Sequence, residues 1–328
     1  MKTTSIKQEN MNFPVSEIIH PIKIPTPFPV GDVFSYLIKA GKNILVDTGH
    51  FHAEAYLCLE QALRKQGVGI PDIDEIWITH GHPDHFGQAE RLRDESGALV
   101  MAPYKDRLQF KENKDGPLFK NLFQALQIPD DIISKMGNQL QWIRQFQQPL
   151  DPDRWIEESD ILDAGDYKFD MKHLPGHSPG HLAFTSNDVT FGGDVLLSHI
   201  STNALISFDP ETGKRNRSFL QYRNSLGWIT EHGNFFYPGH GRFISDSRTL
   251  AMKYLHEQEI RMNSVKDLFG EQPVSIAELA SQLFPEAWKQ EAYFLVLSEV
   301  LGYLDWGVEQ NLFSKTGSEK EVLFQRKK

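Results

Sequence analysis

The segment that most constrains this chain reads Thr-His-Gly-His-Pro-Asp-His and spans residues 79–85. Three histidines and an aspartate fall within six residues, around a glycine and a proline. Imidazole and carboxylate groups are costly to bury without partners, and a surface loop gains little from three imidazoles. Packing therefore gives no reason for the cluster, whereas metal binding does.

The composition indicates an ordinary globular chain of about two domains, with 328 residues of which 40% are hydrophobic and 24% charged. No apolar run reaches the roughly 18 residues of a membrane span, and residues 1–17 lack the apolar core of a secretory signal. The single cysteine, Cys58, excludes an internal disulfide, so we expect a reducing, cytoplasmic location. The net charge of −10 disfavours non-specific binding to nucleic acid or to an anionic membrane.

Because a single cysteine cannot form a cysteine cluster, a metal site in this chain must be built from histidine and carboxylate side chains. Structural zinc sites are usually closed and rich in cysteine, whereas sites of histidine and carboxylate with open positions are more often catalytic. The composition therefore favours a catalytic metal site.

Hydrophobic patterning in the first part of the chain predicts an α/β fold. We expect strands at 33–40, 43–49, 73–79 and 98–103, and helices at 53–67 and 86–97, with a hairpin at Gly41-Lys42. The histidine cluster directly follows the third of these strands. Active sites of open α/β sheets favour that position.

The remaining patterning predicts an insertion and a second domain. Residues 104–150 are helical in periodicity and rich in Phe, Leu, Ile and Trp, and strands resume at 167–176, 181–194 and 234–241. Helices are predicted at 247–270, 273–284 and 291–310, followed by a hairpin around Thr316-Gly317. We therefore expect a catalytic domain at 1–245, with a helical insertion at about 104–150, and a winged-helix-like domain at 246–328.

Four segments carry candidate metal ligands. His80 and His82 are two apart, so they cannot share one face of a helix and suit a loop leaving a strand. Asp84 and His85 follow at once, so that one loop can serve two nearby metal positions. Later segments add ligands from turns and strand ends: His177 in LPGHSPGH (174–181), Asp194 in FGGD (191–194) and His240 in YPGHG (237–241).

In this order, THGHPDH, GHSPGH, GGD and YPGHG resemble the motifs of the metallo-β-lactamase superfamily, which includes glyoxalase II and the lactonases. The resemblance covers roughly residues 20–245 and implies a four-layer αβ/βα sandwich. It implies that one metal is bound by His80, His82 and His177, and a second by Asp84, His85 and His240, with Asp194 as the bridging ligand.

The resemblance also implies two supporting residues. Asp47, in Val-Asp-Thr-Gly, matches an early aspartate of the family and would hydrogen-bond a ligand imidazole to fix its tautomer. A turn-stabilising role ahead of Gly49 is the alternative. His181 would support the site or the structure around it. The other histidines singled out carry no expected role: His50, His52, His173, His199 and His232.

The chemistry expected of such a site is hydrolysis. Two divalent ions about 3.5–4 Å apart can bind a bridging water and lower its pKa towards neutrality, so that hydroxide is available at pH 7. One ion also polarises the scissile carbonyl or phosphoryl oxygen. Asp84 would orient the nucleophile and could take or return a proton. Imidazole and carboxylate ligands suit Zn²⁺, although Fe or Mn fit the same positions.

The leading hypothesis for the substrate is a small ester, thioester or lactone. The apolar residues of the 104–150 insertion can form a lid over an apolar pocket, or they can simply pack on the core. A mono-iron sulfur dioxygenase is an alternative, because such enzymes in this superfamily resemble the same motif set.

A metal-dependent ribonuclease or phosphodiesterase is the other alternative. The C-terminal segment, and NRSFLQYRNSL at 216–226, resemble the β-lactamase-like 2 branch, in which some members are implicated in RNA cleavage. The predicted third helix contains no Lys or Arg and four acidic residues, Glu291, Glu299, Asp305 and Glu309. Its negative charge would repel the phosphates of a nucleic acid. We therefore expect that nucleic acid is not the partner, and that this domain serves in packing, in a homodimer or in the substrate pocket.

Overall fold

The computed structural model describes residues 16–111, 116–187, 189–233, 235–318 and 321–327. Residues 1–15, which hold most of the N-terminal stretch judged above to lack a secretory signal, lie outside this range. Among the described residues, no helix is both long and apolar enough to cross a membrane.

Six strands form the first sheet, in the order β1-β2-β3-β4-β5-β6. They are β1 (Ile19–Ile24), β2 (Val33–Lys39), β3 (Asn43–Val46), β4 (Glu75–Trp77), β5 (Leu99–Pro103) and β6 (Arg154–Ile156). The pairs β1–β2 and β2–β3 are antiparallel, and the pairs from β3 to β6 are parallel. The chain therefore leaves β3, β4 and β5 at one edge of the sheet, where the histidine segment also lies.

Five strands form the second sheet, in the order β11-β10-β9-β8-β7. They are β7 (Ile161–Asp163), β8 (Lys168–His173), β9 (Leu182–Ser186), β10 (Val189–Gly193) and β11 (Phe235–Pro238). All pairs are antiparallel except β10–β11, which is parallel. Asp194 follows β10 and His240 follows β11, so both leave this sheet at one edge.

Helices cover the outer faces of the sheets and continue into the C-terminal region. In chain order they are α1 (Ala53–Lys65), α2 (Pro83–Phe86), α3 (Ala89–Ser96), α4 (Gly116–Ala125), α5 (Asp130–Ile143), α6 (Ser218–His232), α7 (Ser247–Asp267), α8 (Ile276–Leu283), α9 (Pro285–Lys289) and α10 (Tyr293–Glu309). The C-terminal hairpin is formed by β12 (Phe313–Ser318) and β13 (Glu321–Arg326). Ser275 caps α8, since its Oγ accepts a hydrogen bond from the Glu278 N–H at 3.2 Å.

Alternation of side chains along the strands sorts them into separate cores. Trp77 points between the sheets and packs with Phe184 and Phe191, whereas Ile76 packs on the other side with α1 and α3. The outer face of the second sheet, which includes Phe236, is covered by α6 and α7. The predicted α/β class and four-layer order are confirmed.

The helical insertion contains α4 and α5, as its periodicity predicts. On α4, the ring of Phe119 packs edge-on against Phe208 and Phe294, with centroids 5.0 and 5.7 Å away. On α5, Lys135 forms an ion pair with Glu291 at 2.6 Å. The insertion therefore packs along the C-terminal helices.

The acidic helix predicted near the C-terminus is α10, and its carboxylates face basic side chains of the same chain. Asp305 pairs with Arg215, and Glu309 pairs with Arg217, each at 2.7 Å. One buried apolar cluster also runs from Phe236 to residues of α10. The boundary at residue 245 and the winged-helix comparison stay predictions.

The predicted position of the last turn is wrong. Ser318 pairs with Glu321, and Thr316 and Gly317 lie within β12 and not at a turn; residues 319–320 are outside the described range. Gly317 has a φ of +89°, and a Cβ there would collide with the Glu321 carbonyl oxygen. The glycine thus permits a close approach inside the hairpin, a role that sequence alone does not separate from a turn.

Candidate metal centre

The histidine segment changes from extended to helical backbone at Pro83. His82 is extended (φ −89°, ψ 145°) and precedes α2, in which Pro83 occupies the first turn. The His82 carbonyl accepts the His85 N–H at 2.9 Å. His80 and His82 therefore lie ahead of the helical turn, and Asp84 and His85 lie within it.

The structure brings all seven predicted ligand residues together. Ligand-type atoms lie within 4.8 Å of one another in three groups: His80 with His82 and His177; Asp84 with His85 and His240; and His80 with His85 and Asp194. The first two groups are the two sets that the family resemblance implies.

Asp194 lies between the two sets. Its Oδ1 is 3.4 Å from His85 Nε2, and its Oδ2 is 3.5 Å from both His177 Nε2 and His240 Nε2. Asp84 Oδ2 is 3.2 Å from His240 Nε2. The Asp194 carboxylate thus faces both sides of the centre, as a bridging ligand would.

Several atoms at this centre are buried without a hydrogen-bond partner among the described residues. They are the Nε2 atoms of His85, His177 and His240 and the Oδ1 atom of Asp194. Buried polar atoms are nearly always paired, since an unpaired one costs about 1–3 kcal/mol. The residues present therefore fit divalent cations, which would satisfy these atoms together.

The opposite ring nitrogens are held by the protein. His177 Nδ1 bonds the Asn203 carbonyl at 3.0 Å, and His240 Nδ1 bonds the Asp32 carbonyl at 2.9 Å. These bonds orient each ring with Nε2 towards the centre. Neither Asn203 nor Asp32 is predictable from the sequence, because a backbone carbonyl acceptor leaves no signal in the residue type.

Asp47 contacts a candidate ligand histidine, as its motif implies. Its Oδ2 lies 2.7 Å from His85 Nδ1, and its carboxylate also accepts hydrogen bonds from the Thr79 N–H and hydroxyl, each at 2.8 Å. Asp47 has a left-handed backbone (φ +55°), which aspartate tolerates better than most residues. The same residue therefore shapes the turn after β3 and holds the His85 ring.

His181 is fully buried beside the centre. Its ring stacks on that of His80 with centroids 4.8 Å apart, and its Nε2 accepts the Asp194 N–H at 3.0 Å. Burial lowers the pKa of His181 well below its ordinary value, so this imidazole is neutral. These contacts fit the supporting role expected of it.

The electrostatics divide the histidines into two kinds. Burial, reinforced by neighbouring imidazoles, lowers the pKa of His80 well below its ordinary value and that of His82 to about 3. Burial also disfavours the charged forms of His85 and His240, but nearby carboxylates outweigh it and raise both pKa values. The carboxylates thus favour protonated His85 and His240, and a bound cation would displace these protons.

Both carboxylates of the centre are ionised. Burial disfavours the charge on Asp84, but the close approach and charge of His240 outweigh it and lower the pKa of Asp84 to about 2. The charges of His240 and His85 similarly outweigh burial at Asp194 and lower its pKa well below the usual range. Ionised carboxylates and unprotonated imidazoles are the forms that ligate metal ions.

Comparison with known proteins places this centre in a family. The family described as "Metallo-beta-lactamase superfamily" matches residues 28–227. The chain is similar to the probable metallo-hydrolase YqjP of Bacillus subtilis (strain 168), with 29% identity over 296 residues, covering 88% of this chain and 92% of that protein. It is also similar to the hydroxyacylglutathione hydrolase GloC of Haemophilus influenzae, with 35% identity over 125 residues, covering 37% of this chain and 49% of that protein.

A solved structure agrees at the level of the fold. The crystal structure of a metallo-beta-lactamase family protein from Thermus thermophilus matches with a TM-score of 0.81 and 23% identity, covering 94% of this chain and 98% of that one. Since the family match covers more than half of the chain, and its relatives include metallo-hydrolases, the chain belongs to the metallo-β-lactamase superfamily and is a hydrolase of that fold.

Proposed function

We propose that the protein is a dinuclear metal-dependent hydrolase that acts on a small ester, thioester or lactone. The observation that carries this proposal is the buried cluster of ligand-type side chains in which His85 Nε2, His177 Nε2, His240 Nε2 and Asp194 Oδ1 have no hydrogen-bond partner among the described residues. An assembly of this kind is costly to the fold unless cations occupy it.

The two groups of ligand atoms would hold one ion each. His80, His82 and His177 form the first set, and Asp84, His85 and His240 form the second. Asp194 faces both sets and would bridge them. Imidazole and carboxylate donors suit Zn²⁺ best, and Fe or Mn would also fit.

A pair of divalent cations supplies hydrolytic chemistry, because it lowers the pKa of water towards neutrality and polarises a carbonyl oxygen. Asp84 is the residue that would orient the attacking water through a hydrogen bond. Its carboxylate is ionised at neutral pH, so it can accept that hydrogen bond.

An aromatic cluster beside the centre supports an acyl substrate. The ring of Phe28 packs edge-on against Trp142 and Phe146, with centroids 5.9 and 5.4 Å away, and His50 packs against Phe146 at 5.5 Å. Burial and the neighbouring His52 lower the pKa of His50, and the charge of Asp84 opposes that shift. We propose that this aromatic cluster, which includes the end of the insertion, accepts an apolar group of the substrate.

The charges of the C-terminal region support a small molecule over nucleic acid. The carboxylates of Glu291, Asp305 and Glu309, at and along α10, are engaged with Lys135, Arg215 and Arg217 of the same chain. Those basic groups are therefore not free to bind phosphates. Similarity to a hydroxyacylglutathione hydrolase supports a thioester as the substrate.

The test is hydrolysis by metal-loaded protein of a panel of acyl-glutathione thioesters, aryl esters, lactones and phosphodiesters. We expect turnover of an acyl compound, and His82→Ala and Asp194→Ala should each lose about a hundredfold or more. His232→Ala is the matched control, because His232 is exposed and stacks on Trp228 away from the centre.

Two results would replace the proposal. Turnover of phosphodiesters alone would make the protein a phosphodiesterase. Persulfide-dependent oxygen consumption by protein that contains one iron per chain would make it a sulfur dioxygenase.

A further inference from the structure

Asp106 is a buried carboxylate that the sequence analysis did not single out and that the proposed chemistry does not use. It closes a single turn of 3₁₀-helix directly after β5 and is 1% exposed. Its Oδ2 accepts hydrogen bonds from the Gly81 N–H at 2.9 Å and from the Ser178 hydroxyl at 2.6 Å. Its Oδ1 accepts the Gly180 N–H at 2.5 Å.

The three donors belong to two different ligand segments. Gly81 separates the two histidines at 80 and 82, while Ser178 directly follows His177 and Gly180 directly precedes His181. One carboxylate therefore joins two segments that are far apart in sequence and that supply the three imidazoles of one ligand set.

Close packing accompanies these hydrogen bonds. A Cβ at Gly180 would lie 2.6 Å from the Asp106 nitrogen, and a Cβ at Gly81 would lie 2.8 Å from Gln109 Cβ and 3.2 Å from Asp106 Cβ. Glycine at both positions lets the two segments approach the 3₁₀ turn directly. The contact is therefore specific to this geometry and does not depend on long, adaptable side chains.

The protein offers Asp106 only donors among its described hydrogen-bond partners. Burial raises the pKa of Asp106 to about 6, and the bonds from Ser178, Gly81 and Gly180 oppose that shift. The group is thus ionised at neutral pH and can accept all three bonds. One further bond, from the Leu182 N–H to the Thr79 carbonyl at 2.9 Å, joins the same segments at their strand ends.

We propose that Asp106 is a positioning residue that sets the distance between the His80–His82 segment and the His177–His181 segment. It acts through its hydrogen bonds to Gly81, Ser178 and Gly180, and it is not itself one of the candidate ligands. The expected effect on metal binding rests on the proposed function. The hydrogen bonds by which Asp106 links the two segments do not depend on that function.

The informative variant is Asp106→Asn. It keeps the shape of the side chain but presents an NH₂ group to one of the three donors, so that one segment loses its acceptor. The matched control is Glu75→Gln, which alters another buried carboxylate, at the opposite end of β4, where Glu75 accepts bonds from Lys42 and the Trp77 indole at 2.6 and 2.8 Å.

The first readout is titration of metal-free protein with Co²⁺, followed by visible absorption. We expect Asp106→Asn to bind one of two Co²⁺ ions about tenfold or more weakly, with an altered spectrum, because partners that orient ligands typically contribute 10–100-fold to affinity. Ser178→Ala removes one donor and should show a smaller loss. Glu75→Gln should match the wild type in Co²⁺ affinity even where its melting temperature falls.

The second readout is amide hydrogen exchange in metal-free protein. The amides of Gly81 and Gly180 should exchange faster in Asp106→Asn than in the wild type or in Glu75→Gln. Unchanged exchange together with unchanged Co²⁺ affinity and spectrum would overturn the role of Asp106. If the wild type itself binds no Co²⁺, the proposed function fails. The amide exchange rates alone then test whether Asp106 links the two segments.

Discussion

Two buried aspartates show how differently this protein treats a carboxylate. Asp305, 4% exposed, receives a two-pronged ion pair from Arg215, with distances of 2.7 and 2.8 Å. Asp194 is 5% exposed, faces imidazoles at 3.4–3.5 Å, and has an oxygen with no hydrogen bond among the described residues. The first carboxylate is neutralised from within the chain, and the second is arranged for cations that come from outside.

The largest effect on activity should come from removing Asp194, the aspartate that has an oxygen without a hydrogen bond among the described residues. Asp194→Ala is expected to lower kcat/KM for the acyl substrate by about 10³-fold, since a ligand shared by both ions is lost. Stability of the metal-free protein should change less than at Asp305, because no Lys or Arg of the described residues pairs with this carboxylate. Chemical denaturation and kinetics on the same preparation test both statements, and unchanged kcat/KM would contradict the comparison.

The opposite response is expected at Asp305, whose carboxylate is paired with Arg215. Asp305→Ala leaves the Arg215 guanidinium partly buried without its partner and should cost about 3 kcal/mol of unfolding free energy. Metal content should stay that of the wild type. Urea denaturation gives the first quantity and elemental analysis the second. Loss of metal with unchanged stability would reverse the assignment of the two carboxylates.

Removal of metal sharpens the comparison further. At a free Zn²⁺ concentration of about 100 times Kd, each site should stabilise the wild type by about 2.7 kcal/mol over the chelated protein. The Asp305→Ala protein should gain the same increment, and Asp194→Ala a smaller one. Thermal unfolding with and without chelator measures this, and an equal gain in all three proteins would show that Zn²⁺ acts elsewhere.

The affinity for metal should also fall as the pH is lowered. Burial disfavours a charged His85, but Asp194 and Asp47 outweigh it and raise its pKa well above 6.5, so metal-free protein keeps this proton. The proton stabilises the metal-free fold below the ordinary pKa, and that contribution is lost as pH rises through the raised one. A cation must displace the proton, so affinity should drop by up to about tenfold per pH unit.

Calorimetry in buffers of different ionisation enthalpy counts the protons released on binding. Release of at least one proton per chain at neutral pH is expected. A count of zero would show that the His85 side of the centre takes no metal.

The smallest effect concerns a residue behind the ligands. Asp47→Asn should weaken binding of one ion by about tenfold, because the amide is a poorer partner for His85 Nδ1. Competition with a chelating dye measures this change. Equal affinity in wild type and variant would leave Asp47 with its turn-shaping role after β3 alone.

The candidate ligands were predictable because each one sits in a local motif. The Thr79–His85 segment, His177, Asp194 and His240 follow strands or fill Gly- and Pro-rich turns, and local sequence encodes such positions. The four layers were predictable from the family resemblance that these motifs carry, and the structure agrees with it, since Ile76 and Trp77 lie on opposite faces of one strand.

What the sequence did not predict depends on contacts between distant segments. Asp106 binds through backbone N–H groups of glycines, and Asn203 contributes a carbonyl, so neither stands in a recognisable motif. The acidity of the last helix was visible in sequence. Its partner Arg215 was not, because that pairing joins residues 90 positions apart.

The central claim is that the unsatisfied carboxylate and imidazoles hold two cations. Elemental mass spectrometry on protein purified without a metal-affinity tag tests it most directly. We predict about two divalent ions per chain, most simply zinc, in the wild type and fewer in Asp194→Ala. Wild-type protein that is active while holding no metal, or holding the same metal as Asp194→Ala, would contradict the account.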